Sequence, residues 1–482
     1  MTEPPPQPNR SARFVTGSTM RHVAVMAGTG AIGLVAVFAV DLVNLFYISR
    51  LGDQAVAAAV GFAGVVGFFQ FSISLGLTIG VTAVVSRALG AGSVAQARQL
   101  ATAGMLLTGL AAAAVGLGTV ALLDPILDVL GAAGRTRVLA HQFLMITSPS
   151  LPLLGAGICL SGVLRAAADP HRAMNTTLFA AIVTAGVDPL LIFGLHLGLA
   201  GAAISMVISR LVLLSVAWHG VARRHRLLGP IRLAGFAAAV RPILTVGGPA
   251  VLTNLATPVG AAYVTHAMAQ FGAQAVAGLA TIDRISPVAF GLVYALSGAV
   301  GPILSQNLGA GRFDRVRQTM RDSLVFVLVA VCAAWLLLAI GQGAIVRAFS
   351  AVGVAAELVR LFCWLFAGSF MFAGALFVAN AAFNNLGHPL LSTAFNWGRA
   401  TLGTIPFVAF GAQYGAVGVL AGQAAGAVLF GSLAVVAAFR VLPRPAEALP
   451  APLAFPGGTG SAALAALAAR PLRRWESDAG DA

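Results

Sequence analysis

The chain has 482 residues, 59% of them hydrophobic and only 9% charged, with a mean hydropathy of +0.91. Soluble domains carry about 25% charged residues, so a soluble enzyme is excluded. The net charge of +14 would suit nucleic acid, but all 29 basic residues are Arg and their placement argues for membrane topology instead.

The first residues, with their PPPQP stretch, lack the basic–apolar–small order of a cleaved signal peptide and read as a short cytoplasmic tail over 1–22. Twelve apolar runs follow, at 24–48, 55–85, 99–123, 139–163, 173–195, 199–221, 242–268, 275–304, 320–344, 358–383, 390–411 and 415–439. A bilayer-spanning helix needs about 20 apolar residues, so each run predicts one transmembrane helix. With the N-terminus inside, 22 arginines fall on cytoplasmic segments, Arg210 among them, five fall outside, and Arg284 and Arg399 fall within spans. That asymmetry predicts a multi-pass plasma- or inner-membrane protein with both termini cytoplasmic. The positive charge then meets anionic membrane lipids, not nucleic acid. After Pro443 the chain turns Pro/Ala/Gly-rich, and 441–482 reads as a cytoplasmic tail whose SAALAALAARPLRRW stretch suits the membrane surface.

The chain repeats itself. LGDQAVAAA (51–59) returns as FGAQAVAGL (271–279), and SRALGAG (86–92) as SQNLGAG (305–311). LRAAADP (164–170) aligns with FNNLGHP (383–389), and FGLHLGLAGAA (193–203) with FGAQYGAVGVL (410–420). The offsets run from 217 to 220. Six spans per half give both halves one orientation, a parallel repeat with a cavity expected between them. The predicted organisation is an N-terminal six-helix lobe at 23–221, a basic cytoplasmic linker at 222–241 and a C-terminal six-helix lobe at 242–440. This is the design of an alternating-access transporter.

Two carboxylates lie deep in spans. Asp41 is nine residues before Arg50 in span 1, and Asp188 is eight residues before His196 in span 5. At 1.5 Å per residue both sit about 12–14 Å below the outer end of their helices. A charged Asp at mid-membrane costs about 2.5–3.5 kcal/mol or more, so such a group has a use or holds a proton. Asn44 and Thr184 lie one turn from these acids, and Ser205 of span 6 is a third candidate neighbour. Pro189 frees a carbonyl beside Asp188. Through the repeat, Asp41 maps to Ala261 and Asp188 to Ile405, so the scaffold does not need the acids. Desolvation raises a carboxyl pKa, which suits proton loading from an acidic outside; two carboxyls with neighbouring oxygens suit Na⁺ as the alternative.

In the second half, Asp283 and Arg284 read as a self-neutralising pair or a gating pair, and Arg399 as a snorkelling or hydrogen-bonded group near Asn396. Asn254, Thr257, Tyr263, His266, Asn380 and Asn384 are cavity candidates, although each alone more often joins helices. The two LGAG turns read as structural, and Phe68, Phe69, Met145, Phe370, Met371 and Phe372 as lipid-facing or packed. Cys159, Cys332 and Cys363 read as core residues without metal-ligand spacing. No HExxH, CxxC, GxSxG or GxxxxGK[ST] motif is present, so neither an enzyme nor an ATP-driven pump is expected, and no cofactor or resident metal.

VDLVNLFYISRLGDQAVAA, VSRALGAGS, LRAAADPHRAMNT, VDPLLIFGLHLGLAGAAIS and AVAGLATIDRIS…SQNLGAGR together resemble the multidrug and toxic compound extrusion (MATE) family, in its DNA-damage-inducible F (DinF)-like branch, over about residues 22–440. The resemblance implies an all-α membrane fold of twelve helices in two six-helix lobes around a V-shaped cavity. It implies antiport of amphipathic organic cations or drugs against H⁺ or Na⁺; separately, the chain is expected to act as a monomer. In that branch an Asp of span 1 and an Asp of span 5 cluster in the first lobe, and Asp41 and Asp188 match them. Some relatives carry Asn where this chain has Thr184, and Tyr where it has Val37. Relatives coupled to Na⁺ through second-lobe acids carry Glu and Asp at the places of Thr257 and Ala373, so proton coupling in the first lobe is favoured. A flippase for a lipid-linked amphiphile ranks second, because only Arg284 and Arg399 would serve its anionic head within the spans.

Overall fold

Lipid offers the backbone no hydrogen bonds, so apolar runs of this length fold as helices that satisfy their own amides. The computed structural model describes residues 12–50, 54–230 and 233–443, and the described residues carry helices and turns without a strand. The Asp41 side chain, residues 1–11 of the expected N-terminal tail, residues 51–53 of the first repeat piece and the tail from 444 onward lie outside the described set.

A 3-10 turn at Arg13–Val15 precedes α1 (Thr19–Arg50). Next come α2 (Gln54–Gly90), α3 (Val94–Ala121), the short α4 (Leu123–Val129), α5 (Gly134–Thr147), α6 (Leu151–Ala166), α7 (Pro170–Pro189) and α8 (Gly198–Trp218). The second half runs through α9 (Leu233–Ala269), α10 (Ala273–Ala289), α11 (Gly291–Gly309), α12 (Phe313–Ala348), α13 (Gly353–Trp364), α14 (Phe370–Asn385), α15 (Pro389–Ala400), α16 (Ile405–Ala412) and α17 (Gly415–Arg440). Ten stretches are long and apolar enough to cross a membrane, α5 and α6 counting as one, and the α10–α11 pair makes an eleventh. The consecutive α15 and α16 occupy the remaining expected span.

Several expected spans are not straight rods. The 139–163 run is interrupted by a 3-10 turn at Ser148–Ser150, beside Pro149 and Pro152. The 173–195 run changes to a π-helical turn at Leu190–Gly194 after Pro189. The 275–304 run bends by 53° between α10 and α11, just after Pro287. The 358–383 run contains a 3-10 turn at Phe366–Ser369, and the 390–411 run breaks between α15 and α16, before Pro406. Apolarity summed over a window fixes which residues enter lipid. It is blind to a missing amide donor, which is what opens most of these breaks.

One seam between the halves joins α1 to α11, with Gly30 against Ala295. The other joins α2 to α9, where a Cβ on Gly76 or Gly80 would come within 2.5 Å of Val251 or of the Ile243 carbonyl. The second-half core gathers Phe290, Leu296 and Phe383, and Phe14, Val23 and Met26 from the start of the chain insert into it. A first-half cluster holds Val56, Leu123, Leu127, Leu144 and Leu199. Leu117, Leu337 and Ile340 are exposed, as suits a surface facing lipid. Cys159 and Cys363 are buried as expected. Cys332 is exposed on α12, so it is not a core residue.

The LGAG turns do more than end helices. Gly92 and Gly311 take positive φ of 80° and 70°, which lets the chain reverse after α2 and α11. Gly90 packs on the Gln306 backbone and Gly309 on the Arg87 backbone, approaches that a Cβ would prevent. Gln306 Nε2 donates to the Ala166 carbonyl at 2.7 Å, and its Oε1 accepts from the Phe14 amide at 3.1 Å. The two halves therefore meet closely at the end carrying these turns.

Candidate transport site

The first-half candidates converge where α1 meets α7. Gly33 faces Thr177 and Tyr47 meets the Phe193 ring edge-on at 5.8 Å, so the helices run side by side at a residue offset of 144 to 146. That register places Asn44 level with residues 188–190 and residue 41 level with 185–187, about 3 Å along the axis from Asp188. Asp188 is 1% exposed and ends the regular part of α7. Pro189 has no amide to give the Ala185 carbonyl, and the π-helical turn begins one residue later. Ser205, fully buried on α8, neighbours Asp188 without hydrogen-bond geometry between them. Thr184 is buried and its hydroxyl donates to the Ala180 carbonyl at 2.9 Å, so its proton is committed within α7.

The buried orphans here are oxygens. Asp188 Oδ1 and Oδ2, Ser205 Oγ and Asn44 Oδ1 have no hydrogen-bond partner among the described residues. Leaving buried polar atoms unpaired costs about 1–3 kcal/mol each and more for a charge. A proton on the carboxyl, or a small cation among these oxygens, relieves that cost. No three His, Cys, Asp or Glu side chains come together as a metal site among the described residues.

A second polar group surrounds Arg399, next to last in α15 and just before the mid-span break. Its guanidinium makes no hydrogen bond among the described residues and its Nε is buried without a partner, so the expected hydrogen bond near Asn396 is not formed. Asn396 Nδ2 instead donates to Asn380 Oδ1 at 2.9 Å, joining α15 to α14. Tyr294 of α11 lies within electrostatic range of both Asp283 and Arg399. Asp283 and Arg284 are both exposed and form no ion pair, so they do not neutralise each other. Adjacent positions on α10 point about 100° apart, which separates the two side chains. Asn254 is half-buried on α9 with Nδ2 unpartnered, Thr257 and His266 are exposed, and Tyr263 packs against the second-half core. Asn384 is buried with Oδ1 unpartnered.

Two polar devices escape a reading by hydropathy. Arg210 belongs to the interior, not to a cytoplasmic segment: it is 9% exposed, and its Nη1 donates to the Thr147 carbonyl at 2.5 Å and to Ser150 Oγ at 2.6 Å. It thereby satisfies the break between α5 and α6, with Gln70 donating to Ser148 Oγ at 3.2 Å from α2. The sequence signal was its place at the middle of span 6. Outside the spans, Asp169 caps α7, accepting from the Arg172 amide at 3.2 Å, and meets His225 Nε2 at 2.8 Å. Burial pushes its carboxyl up, but the His225 contact, the Arg172 amide and the charges of both neighbours outweigh this and hold it below the usual carboxylate range.

The MatE family model matches residues 31–190 and 249–410. A Shewanella oneidensis protein named FAD transporter is 29% identical over 79% of this chain and 85% of its own length. A Deinococcus radiodurans protein named probable multidrug resistance protein NorM is 28% identical over 63% of this chain and 67% of its own. Among solved structures, a mutant of the Vibrio cholerae MATE transporter VcmN superposes with a TM-score of 0.84 at 24% identity, covering 88% of this chain and 97% of that one. This likeness extends the match to the whole twelve-helix, two-lobe fold.

Proposed function

This chain belongs to the MatE family of membrane transporters, and from that premise we propose that it exports amphipathic organic compounds, cations among them, in exchange for protons that load on Asp188 and Asp41. The observation that carries the reading is the buried Asp188 carboxyl, whose two oxygens have no donor within the described protein. Such a group is stable in apolar surroundings when it holds a proton and unstable when it gives one up. Opening the cavity to water reverses that preference. A carboxyl that alternates between these settings couples proton flow to the conformational cycle. Ser205 and Asn44 supply oxygens that shift the balance, and the Ala185 carbonyl freed by Pro189 is a further acceptor. The same set suits Na⁺, which makes the coupling ion the first thing to measure.

The arginine bias favours placing the LGAG end in the cytoplasm. The close meeting of the halves there then corresponds to a form closed to the cytoplasm. The lobes at 23–221 and 242–440 are the bodies proposed to rock. The match of Asp41 and Asp188 supports the DinF-like branch, and the NorM-type relative supports drug efflux. The relative named FAD transporter supports a second reading, in which the substrates include an anionic dinucleotide.

The test uses the purified protein in liposomes loaded with a pH-sensitive dye, with ethidium added in the presence and absence of Na⁺. Drug-dependent proton movement that needs no Na⁺ and disappears in Asp188→Asn and Asp41→Asn is the expected result. Movement that requires Na⁺ would replace the proton as the coupling ion. No drug-linked ion movement across a panel of cations would overturn the reading.

A further inference from the structure

We propose that the second half carries an oxyanion subsite built on Arg399, which takes the phosphate or carboxylate of an aromatic amphiphile. The proposal rests on the reading of the inter-lobe cavity as the transport site and assigns that site a second pole.

The buried groups left unpartnered differ between the two sites. Around Asp188 they are the oxygens of an acid, an amide and a hydroxyl. Around Arg399 they are donors: Arg399 Nε and, on the neighbouring α9, Asn254 Nδ2. The two helices are tied in register by Trp397 Nε1 donating to the Leu252 carbonyl at 2.9 Å and by Thr253 and Thr393 hydroxyls 3.2 Å apart. Asn254 and Arg399 therefore sit on one helix pair. No described carboxylate lies within 4.0 Å of the guanidinium. Asp283 and Tyr294 face this region, Asp283 without an ion pair to Arg399. The amide of Asn396 is already spent on Asn380.

A guanidinium can be neither deprotonated nor satisfied by an apolar wall, and its fork of donors matches carboxylate and phosphate oxygens. Its position strengthens the case. Arg399 lies just before the break between α15 and α16, and interrupted helices near the midplane are where transporters place ligand groups. By the repeat offset of 217, Arg399 corresponds to Ile182, so the scaffold does not require a base there. Aromatic recognition is supplied alongside. The Tyr294 ring lies 5.6 Å from Phe377 and 6.3 Å from Phe370, and Phe370 stacks on Phe290 at 4.1 Å. Tyr294, at the edge of this cluster, lies within electrostatic range of Arg399 and links the aromatic face to the guanidinium.

The experiment measures equilibrium binding of riboflavin and of flavin mononucleotide, which differ by one phosphate, to the full chain in nanodiscs by flavin fluorescence. No ion gradient is present, so the result is independent of proton coupling. The phosphorylated flavin is expected to bind about tenfold tighter or more, the range of a charge-assisted hydrogen bond. Arg399→Gln should bring the two affinities together, and Arg399→Lys should restore part of the difference. Asn254→Ala, which keeps the arginine, should reduce the preference about threefold and serves if Arg399→Gln fails to fold. Equal binding of the two flavins by the wild type, binding of neither, or a preference that survives Arg399→Gln would overturn the proposal. A phosphate preference without drug-linked proton movement would sink the coupling mechanism and leave this subsite standing.

Discussion

The Arg87 guanidinium donates to the backbone carbonyl of Asn385 at 2.5 Å, tying the end of α2 to the end of α14 across the two halves of the chain. Asn385 also accepts from the Ser305 hydroxyl at 2.5 Å, so three helices share one knot. The knot lies beside the LGAG turns, where Gly309 rests on the Arg87 backbone. Inserting a methyl there costs about 1–3 kcal/mol and acts only when the halves are together. Gly309→Ala should therefore favour the separated form by about tenfold or more. Maleimide labelling of Ala166→Cys, buried at this junction, reads the change, with the exposed Cys332 replaced by Ser. Faster labelling is expected, and an unchanged rate would remove the LGAG turns from the closing contact.

Asp188→Asn keeps the shape of the side chain and removes its titration. Substrate-driven proton movement should fall to the level of empty liposomes, a loss of about 100-fold or more for a coupling group. Substrate binding without a gradient should change by less than about threefold. Ser205→Ala should keep transport and change its pH dependence, because it removes a buried polar neighbour of Asp188. A Ser205→Ala profile that overlays the wild type would separate Ser205 from the proton site.

Asp169 links pH to stability. Its carboxyl titrates below the usual range when folded, so it contributes stability above the unfolded value near pH 3.9 and loses it as pH falls through the folded value. The wild-type melting temperature should drop below about pH 4. Asp169→Asn keeps an N-cap oxygen but removes the charge facing Arg172 and His225, so it should melt slightly lower at pH 7, in line with about 0.2–1 kcal/mol for a partly exposed ion pair, and show a flatter profile in acid. Parallel profiles would assign the acid transition to other groups.

Arg210 holds the break between α5 and α6 through one nitrogen and two acceptors. Arg210→Met removes that charged donor, at about 1.5–3 kcal/mol, while the Ser150 hydroxyl still donates to the Thr147 carbonyl at 2.7 Å. A lower melting temperature in detergent is expected. Arg210→Lys should recover only part of it, because an ammonium lacks the planar fork. Full recovery by Lys would show that charge alone is needed.

Span number, repeat and the burial of Asp188 are legible in the sequence because each rests on a sum or a spacing. Twenty apolar residues, a constant offset and an Asp among valines survive any detail of packing. The interruptions inside spans are less legible. Pro287 and Pro406 mark two of them, yet Pro242, Pro249 and Pro258 lie within a continuous α9, so proline alone does not decide. Partnership is least legible. Asp283 and Arg284 are neighbours in the chain and unpaired in space, whereas Arg210 finds its acceptors some sixty residues earlier. Charge in a span announces a polar role, but only the third dimension assigns the partner.

The eleventh crossing is shared between two neighbours. Its first part, α15, is fastened to α9 by the Thr393 hydroxyl on the Pro249 carbonyl at 2.8 Å and by Trp397 on Leu252. Its second part, α16, lies flush against α17, with Gly411 on Gly418 and Gly422 on the Phe407 backbone. An unbroken helix would transmit any displacement along its whole length. Here the two parts are fastened to different helices, although Gly398 of α15 also rests on the Phe430 ring of α17. The break at residues 401–404 thus sets Arg399 in a part whose side-chain hydrogen bonds go to α9, apart from the part laid along α17.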